Sequence, residues 1–116
     1  MAKSYPQFHK QVQELMNKYG QESPDTMAGV MKLHKAASEE GALSSKVKEL
    51  IALGIAIVVR CDGCIAFHVH DALEAGASKD EIVDAIGVAI LMGGGPAVVY
   101  GSQAFKALKQ FEGEES

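Results

Sequence analysis

Cys61 and Cys64 are the only two cysteines of the 116-residue chain, and they stand three residues apart in the stretch Cys61-Asp62-Gly63-Cys64-Ile65-Ala66-Phe67-His68. A thiol attacks as its thiolate, so chemistry at this pair needs something that lowers a thiol pKa from about 8.5. Three features can do so. Cys64 falls in the first turn of a predicted helix, where free N–H groups and the helix dipole favour negative charge. His68 lies four residues on, one turn away on the same face, within reach of the Cys64 sulfur directly or through a water. Cys61 is close enough to form a disulfide with Cys64 after oxidation. The set is an activated thiol, a base and a resolving thiol.

Glu49 precedes Cys61 by twelve residues. Along one continuous helix that separation is about 18 Å. Glu49 therefore reaches the cysteines only from a crossing or antiparallel helix, or from another subunit. Its natural partner is His68, because a carboxylate on one imidazole nitrogen fixes the tautomer and raises the basicity of the other. The plainer reading of Glu49 is a solvated residue near a helix start.

The same residues allow other readings. Cys61, Cys64, His68 and His70 are the obvious zinc tetrad. His68 and His70 lie about 200° apart around a helix, so both cannot face one ion. We expect no metal and no tightly bound cofactor. His70 and His9 read as surface residues, and His34 as a packed core or interface histidine. Asp62 serves the helix start, as a cap or a dipole partner. Gly93-Gly94-Gly95 lacks the Lys and Ser/Thr of a phosphate loop and follows no clear strand, so it reads as a helix break that lets backbones approach. The methionines read as core filling.

The elements that must position these groups all read as helices. Tyr5, Phe8, Val12, Leu15 and Tyr19 recur at helical spacing, which predicts a helix over 4–19 ended by Gly20. Pro24 suits the first position of a second helix. That helix has Met27, Val30, Met31, His34 and Ala37 on one face and stops near Gly41. Ser44 or Ser45 can cap a third helix. It carries Val47, Leu50, Ile51, Gly54, Ile55 and Val58 on one side and Ala52, Leu53, Ala56 and Ile57 on the other. A helix apolar all round is expected to be buried on all sides. Its Ile55–Val59 end is β-branched enough to compete as a strand. A fourth helix begins around the cysteines and ends at Gly76. Ser78 and Glu81 form a capping box that opens a fifth, with Ile82, Ala85, Ile86, Ala89 and Ile90 inward. Pro96 begins a sixth, with Ala97, Gly101, Ala104, Leu108 and Phe111 on one face. The tail from Gly113 to Ser116 is small and acidic and is expected to fray.

The totals fit one all-α domain over residues 1–116, with its core in 25–112. Composition is 47% hydrophobic and 22% charged, an ordinary globular balance. The net charge of −4, without a basic patch, argues against a nucleic-acid partner. The apolar run from Leu50 to Val59 is short of the roughly 20 residues that cross a bilayer. No apolar secretory core opens the chain, so the expected location is the cytoplasm. In that reducing compartment a close cysteine pair is catalytic or metal-binding rather than a structural staple. The third and fifth helices carry more apolar surface than a small monomer hides, which predicts a homo-oligomer.

Glu49, the Cys61-Asp62-Gly63-Cys64 motif and His68 together resemble the signature of the alkyl hydroperoxidase D (AhpD)-like branch of the carboxymuconolactone decarboxylase family. The resemblance extends from Lys48-Glu49-Leu50 through Ala75-Gly76-Ala77 to Gly93-Gly94-Gly95-Pro96 and covers roughly residues 25 to 110. It implies an AhpD-like bundle of about six helices that assembles as trimers or hexamers. It implies a thiol peroxidase or disulfide reductase in which Cys64 meets a small peroxide or disulfide and Cys61 resolves the sulfenic acid. The disulfide would be re-reduced by an external dithiol, which in the family's best-known system is a lipoyl-bearing protein. The chain departs from that pattern at Gly63, where the peroxidase members place a histidine, so the proton relay is shorter. The lactone decarboxylase branch generally lacks the cysteine pair. An acid–base lactone enzyme using Glu49 and His68, and a redox- or metal-sensing protein, stand as the alternatives. A thioredoxin fold would need several strands and a cis-proline facing the pair, and only Pro96 could serve.

Overall fold

The computed structural model describes residues 3–113. They form six helices: α1 (Tyr5–Glu22), α2 (Pro24–Ser38), α3 (Ser45–Val58), α4 (Asp62–Glu74), α5 (Lys79–Gly93) and α6 (Gly95–Phe111). Among the described residues no strand occurs and no peptide bond is cis. The thioredoxin alternative is thereby excluded. None of these helices is long and apolar enough to cross a membrane. The expectation about the tail concerns residues 114–116, which lie outside the described residues, and Gly113, which turns with φ +84°.

α3 is the central element, packed against α4 and α5, with α6 closing the far side of both. Ser44 caps it, its Oγ accepting from the Val47 N–H at 3.1 Å. The β-branched Ile55–Val58 segment stays helical. Leu53, Ala56 and Ile57 are fully buried or nearly so, as are Ile65, Ala66, Val69 and Ala72 on the facing side of α4. The expected burial of α3 on all sides is not met. Ile51, Ile55 and Val58 are exposed. With Val88 and Met92 of α5 they line an open apolar cleft of about 490 Å³. Among the described residues, none outside α3, α5 and Val59 lines that cleft.

The Ser78–Glu81 capping box opens α5 as expected. The Glu81 N–H reaches Ser78 Oγ at 3.1 Å, and the Ser78 N–H reaches Glu81 Oε1 at 2.8 Å. The Ser78 amide and the Lys46 ammonium, 2.9 Å away, hold the Glu81 carboxyl below its ordinary pKa. This contact ties the starts of α3 and α5. The α5–α6 break falls at Gly94, with φ +69°. α6 then buries a stripe of small residues, Ala97, Gly101, Ala104 and Ala107, before Leu108.

The N-terminal pair differs most from expectation. α1 runs through Gly20 to Glu22, because Gly20 is a packing position. A Cβ there would lie 3.1 Å from Met27 Cγ of α2. α2 ends at Ser38, short of Gly41, where the Ser38 hydroxyl bonds back to the His34 carbonyl. No residue of α2 is buried, so its Val30–Met31 stripe and His34 are exposed rather than in the core. The cause is placement: α2 packs on α1 and touches α3 only slightly. The methionines follow the same correction, since Met16, Met31 and Met92 are all exposed.

The close approach at the α5–α6 corner can be tested. A Cβ at Gly93 would sit 2.7 Å from Ala97 Cβ and 3.2 Å from Val58 Cγ2. Neither neighbour is a flexible chain end. Gly93→Ala is expected to destabilise the fold by about 1–3 kcal/mol in urea unfolding. Gly87→Ala, in the middle of α5 with open space around it, is expected to stabilise it by about 0.5–1 kcal/mol.

Candidate active site

The site is created by the turn between α3 and α4. The Cys61 N–H bonds to the Ala56 carbonyl at 3.0 Å and the Arg60 N–H to the Ile57 carbonyl at 3.2 Å. This pattern closes the C-terminus of α3 with a left-handed residue at the corner. That residue is Arg60, at φ +62°, rather than the usual glycine. An L-residue there costs about 1–2 kcal/mol. The strain sits immediately before the first cysteine.

Cys61 ends one helix and starts the next. Its Sγ accepts the Cys64 N–H at 3.2 Å and so caps α4. Cys64 is the third residue of α4, in the turn whose N–H groups favour a thiolate. The two cysteines are joined by a disulfide with a Cα–Cα distance of 5.2 Å, within the normal range for such a bridge. Both are partly exposed.

Because the chain reverses at Arg60, Glu49 of α3 comes to lie beside His68 of α4. Glu49 Oε1 is 2.8 Å from His68 Nδ1 within one chain. Glu49 is 8% exposed and is the one buried charged residue among those described. A buried carboxylate must be paired, and an ionised carboxylate only accepts. With an ionised Glu49 the contact requires a proton on Nδ1, and it leaves Nε2 uncommitted to the carboxylate. His68 follows Cys64 by one helical turn on the same face of α4. The structure thus pairs Glu49 with His68 and Cys61 with Cys64, and α4 carries the two pairs one helical turn apart.

Asp71 was not anticipated, nor were the contacts of His70 and His9. Asp71 brings a carboxylate oxygen to Glu49 and His68, the three ligand atoms lying within 4.8 Å of one another. These are the groups that could hold a cation here, rather than the cysteine–histidine tetrad, whose sulfurs are bonded to each other. The His68-x-x-Asp71 spacing, one helical turn, was the available signal. Asp71 also pairs with His70, whose Nδ1 is 2.9 Å from Asp71 Oδ1. The His70 ring stacks on His9 of α1 at 4.4 Å. His9 also packs on Phe67 and Phe111. Neither histidine is the free surface group expected. Burial first, then the adjacent His70, pushes the His9 pKa down, with Asp71 opposing.

Asp62, the first residue of α4, is a dipole partner and not the cap, which is Cys61. Its carboxylate accepts the Tyr5 hydroxyl at 2.7 Å and pairs with Lys3. Tyr5 is 1% exposed, and burial, then Tyr100, raises its hydroxyl pKa. Gly63 has open space where a Cβ would stand. The corner has room for a side chain at position 63, next to Cys64, and holds none there.

Residues 24–108 match the carboxymuconolactone decarboxylase family. The chain is similar to an uncharacterised protein of Cupriavidus necator, 39% identical over 85 residues that cover 73% of this chain and 75% of that one. It is also similar to uncharacterised protein 4 of the cox locus of Paracoccus denitrificans, 37% identical over 70% of this chain and 73% of the relative. Among solved structures, a carboxymuconolactone decarboxylase family protein from Legionella pneumophila, in its apo form, superposes with a TM-score of 0.89. The two are 36% identical, and the match covers 92% of this chain and 96% of that one. A Thermotoga maritima member of the same family, suggested to be involved in antioxidative response, gives a TM-score of 0.82 at 29% identity, over 92% and 91% of the two chains. With a match across most of its length and this shared fold, the chain belongs to the carboxymuconolactone decarboxylase family.

Proposed function

We propose that this protein is an AhpD-like thiol oxidoreductase of the peroxidase or disulfide-reductase type, with Cys64 as its nucleophile. One observation carries the reading: a disulfide-linked Cys-x-x-Cys at a helix start, one turn from an imidazole held by a buried carboxylate. In the reduced protein, His68 Nε2 takes the Cys64 proton. The Cys64 thiolate attacks an oxygen of a small hydroperoxide, the O–O bond breaks, and the departing alkoxide takes the proton back from His68. Cys64 is left as a sulfenic acid and the substrate as an alcohol. The Cys61 thiol then attacks the Cys64 sulfur, forming the disulfide and releasing water. Two thiols have supplied the two electrons. A disulfide substrate is handled by the same thiolate through a mixed disulfide. An external dithiol, such as a lipoyl-bearing protein, returns the pair to its reduced form by exchange. Glu49 acts through His68, as the group that fixes its tautomer. The Thermotoga relative's suggested role in antioxidative response supports the same direction.

The apolar cleft between α3 and α5 supports a further part of this reading, that the protein assembles with copies of itself as a trimer or hexamer. Light scattering on the purified protein is expected to give a multiple of 12.3 kDa. A mass of 12.3 kDa would refute the assembly.

The chemistry is checked with dihydrolipoate-driven peroxide and disulfide consumption. Cys64→Ser is expected to reduce turnover to background. Cys61→Ser is expected to retain one round of oxidation and to lose turnover. Glu49→Gln is expected to lower the rate by about tenfold or more, the scale of a mispositioned general base. Its His68 ring, followed by nitrogen NMR, should lose the single Nδ1–H tautomer. Activity on a carboxymuconolactone that survives Cys64→Ser and is lost in Glu49→Gln would replace this reading with the acid–base one.

A further inference from the structure

Asp62 stands between the two cysteines and carries a negative charge into the helix turn that must stabilise the Cys64 thiolate. Left alone, that charge opposes ionisation of both sulfurs and competes with them for the same N–H groups. It is not left alone. The Tyr5 hydroxyl donates to Asp62 Oδ1 at 2.7 Å, and the Lys3 ammonium pairs with Oδ2. Both come from the N-terminal segment, ahead of the 24–108 region that matches the family.

The segment is held in place for this contact. The Tyr5 N–H donates to Gln110 Oε1 at 2.8 Å, and Gln110 Nε2 donates to the Lys3 carbonyl at 3.0 Å. The Lys3 ammonium also lies 4.1 Å from the centre of the Phe8 ring. The Gln103 amide oxygen, 3.2 Å from the Tyr5 hydroxyl, is a second acceptor for its one proton, and Asp62 Oδ1 at 2.7 Å is the nearer. A tyrosine whose ring is wholly within the core presents its one polar atom to the one carboxylate inside the Cys-x-x-Cys motif.

We propose that Tyr5 and Lys3 are positioning residues that set the redox poise of the Cys61–Cys64 pair by neutralising Asp62. This inference rests on the pair being redox-active, as proposed above. Its physical content is a sign. Removing the Asp62 charge favours thiolate and hence the dithiol form. Removing Tyr5 or Lys3 exposes that charge and favours the disulfide form. Tyr5 and Lys3 act only through Asp62.

The test is a redox titration of the full chain at pH 7 in dihydrolipoate/lipoate buffers, with the oxidised fraction read by thiol alkylation. Asp62→Asn is expected to shift the equilibrium toward the dithiol form by about two- to fivefold, the scale of a partly exposed charge contact. Tyr5→Phe and Lys3→Met are expected to shift it by a similar factor in the opposite direction. Neither should move it further in the Asp62→Asn background. Shifts of the same sign in Tyr5→Phe and Asp62→Asn would overturn the proposal, as would a Tyr5→Phe shift that persists without the Asp62 charge. Lys3→Met, at a partly exposed side chain, keeps the test intact if Tyr5→Phe lowers the melting temperature. A wild-type pair that does not exchange with the dithiol defeats the proposed function and this inference together. A pair that exchanges normally but ignores all three substitutions defeats this inference alone.

Discussion

A single hydrogen bond across two helices, Glu49 Oε1 to His68 Nδ1 at 2.8 Å, organises the functional corner of this protein. Burying a carboxylate is costly unless it is paired, so Glu49 at 8% exposure fixes where His68 must be. That in turn fixes the relation of α3 to α4, because the two residues sit on different helices on either side of the Arg60 turn. Once α4 is placed, Cys64 is one turn N-terminal of the imidazole. Cys61 is its cap, and both sulfurs share the positive end of the helix. The chemistry proposed for the chain is a consequence of this order of placement.

The Arg60 corner shows how much is concentrated in few residues. The same Cys61 closes α3 through its amide and opens α4 through its sulfur. A left-handed arginine is tolerated next to it because hydrogen bonds on both sides determine its conformation. Asp62 extends the arrangement to the N-terminal segment through Tyr5 and Lys3, so the Cys61–Cys64 stretch is tied to the turn, to α4 and to the start of α1.

Much of this was legible in the sequence, and the reasons are local. The Cys61-x-x-Cys64 and Cys64–His68 spacings have meaning only on a helix start, and helix starts announce themselves through Ser44, Ser78 and Pro96. The pairing of Glu49 with His68 was expected from the affinity of a carboxylate for an imidazole, beside the plainer reading of a solvated Glu49, and the structure makes the contact. What was not legible depends on contacts remote in sequence. Tyr5 reads as one more apolar residue of an amphipathic stripe, and only its 2.7 Å bond to Asp62, fifty-seven residues away, gives its hydroxyl a role. His9 and His70 look like surface residues until α1 lies across α4 and stacks them. Glycines misled in one place. Gly20 reads as a stop but is a contact with Met27, whereas Gly94 is a true break with positive φ. The apolar surface of α3 reads both as interior and as surface for a partner copy, because hydrophobic pattern reports what wants to be covered, not what covers it.

The central claim is that the helix start and the Glu49-held imidazole keep the Cys64 sulfur ionised near neutrality. The most direct measurement is the pH dependence of thiolate absorbance in the reduced protein, with Cys61→Ser used to isolate Cys64. A midpoint well below the free-thiol value of about 8.5, moving back toward it in His68→Gln, is the expected result. A Cys64 thiol that titrates near 8.5 and is indifferent to His68 would contradict the account.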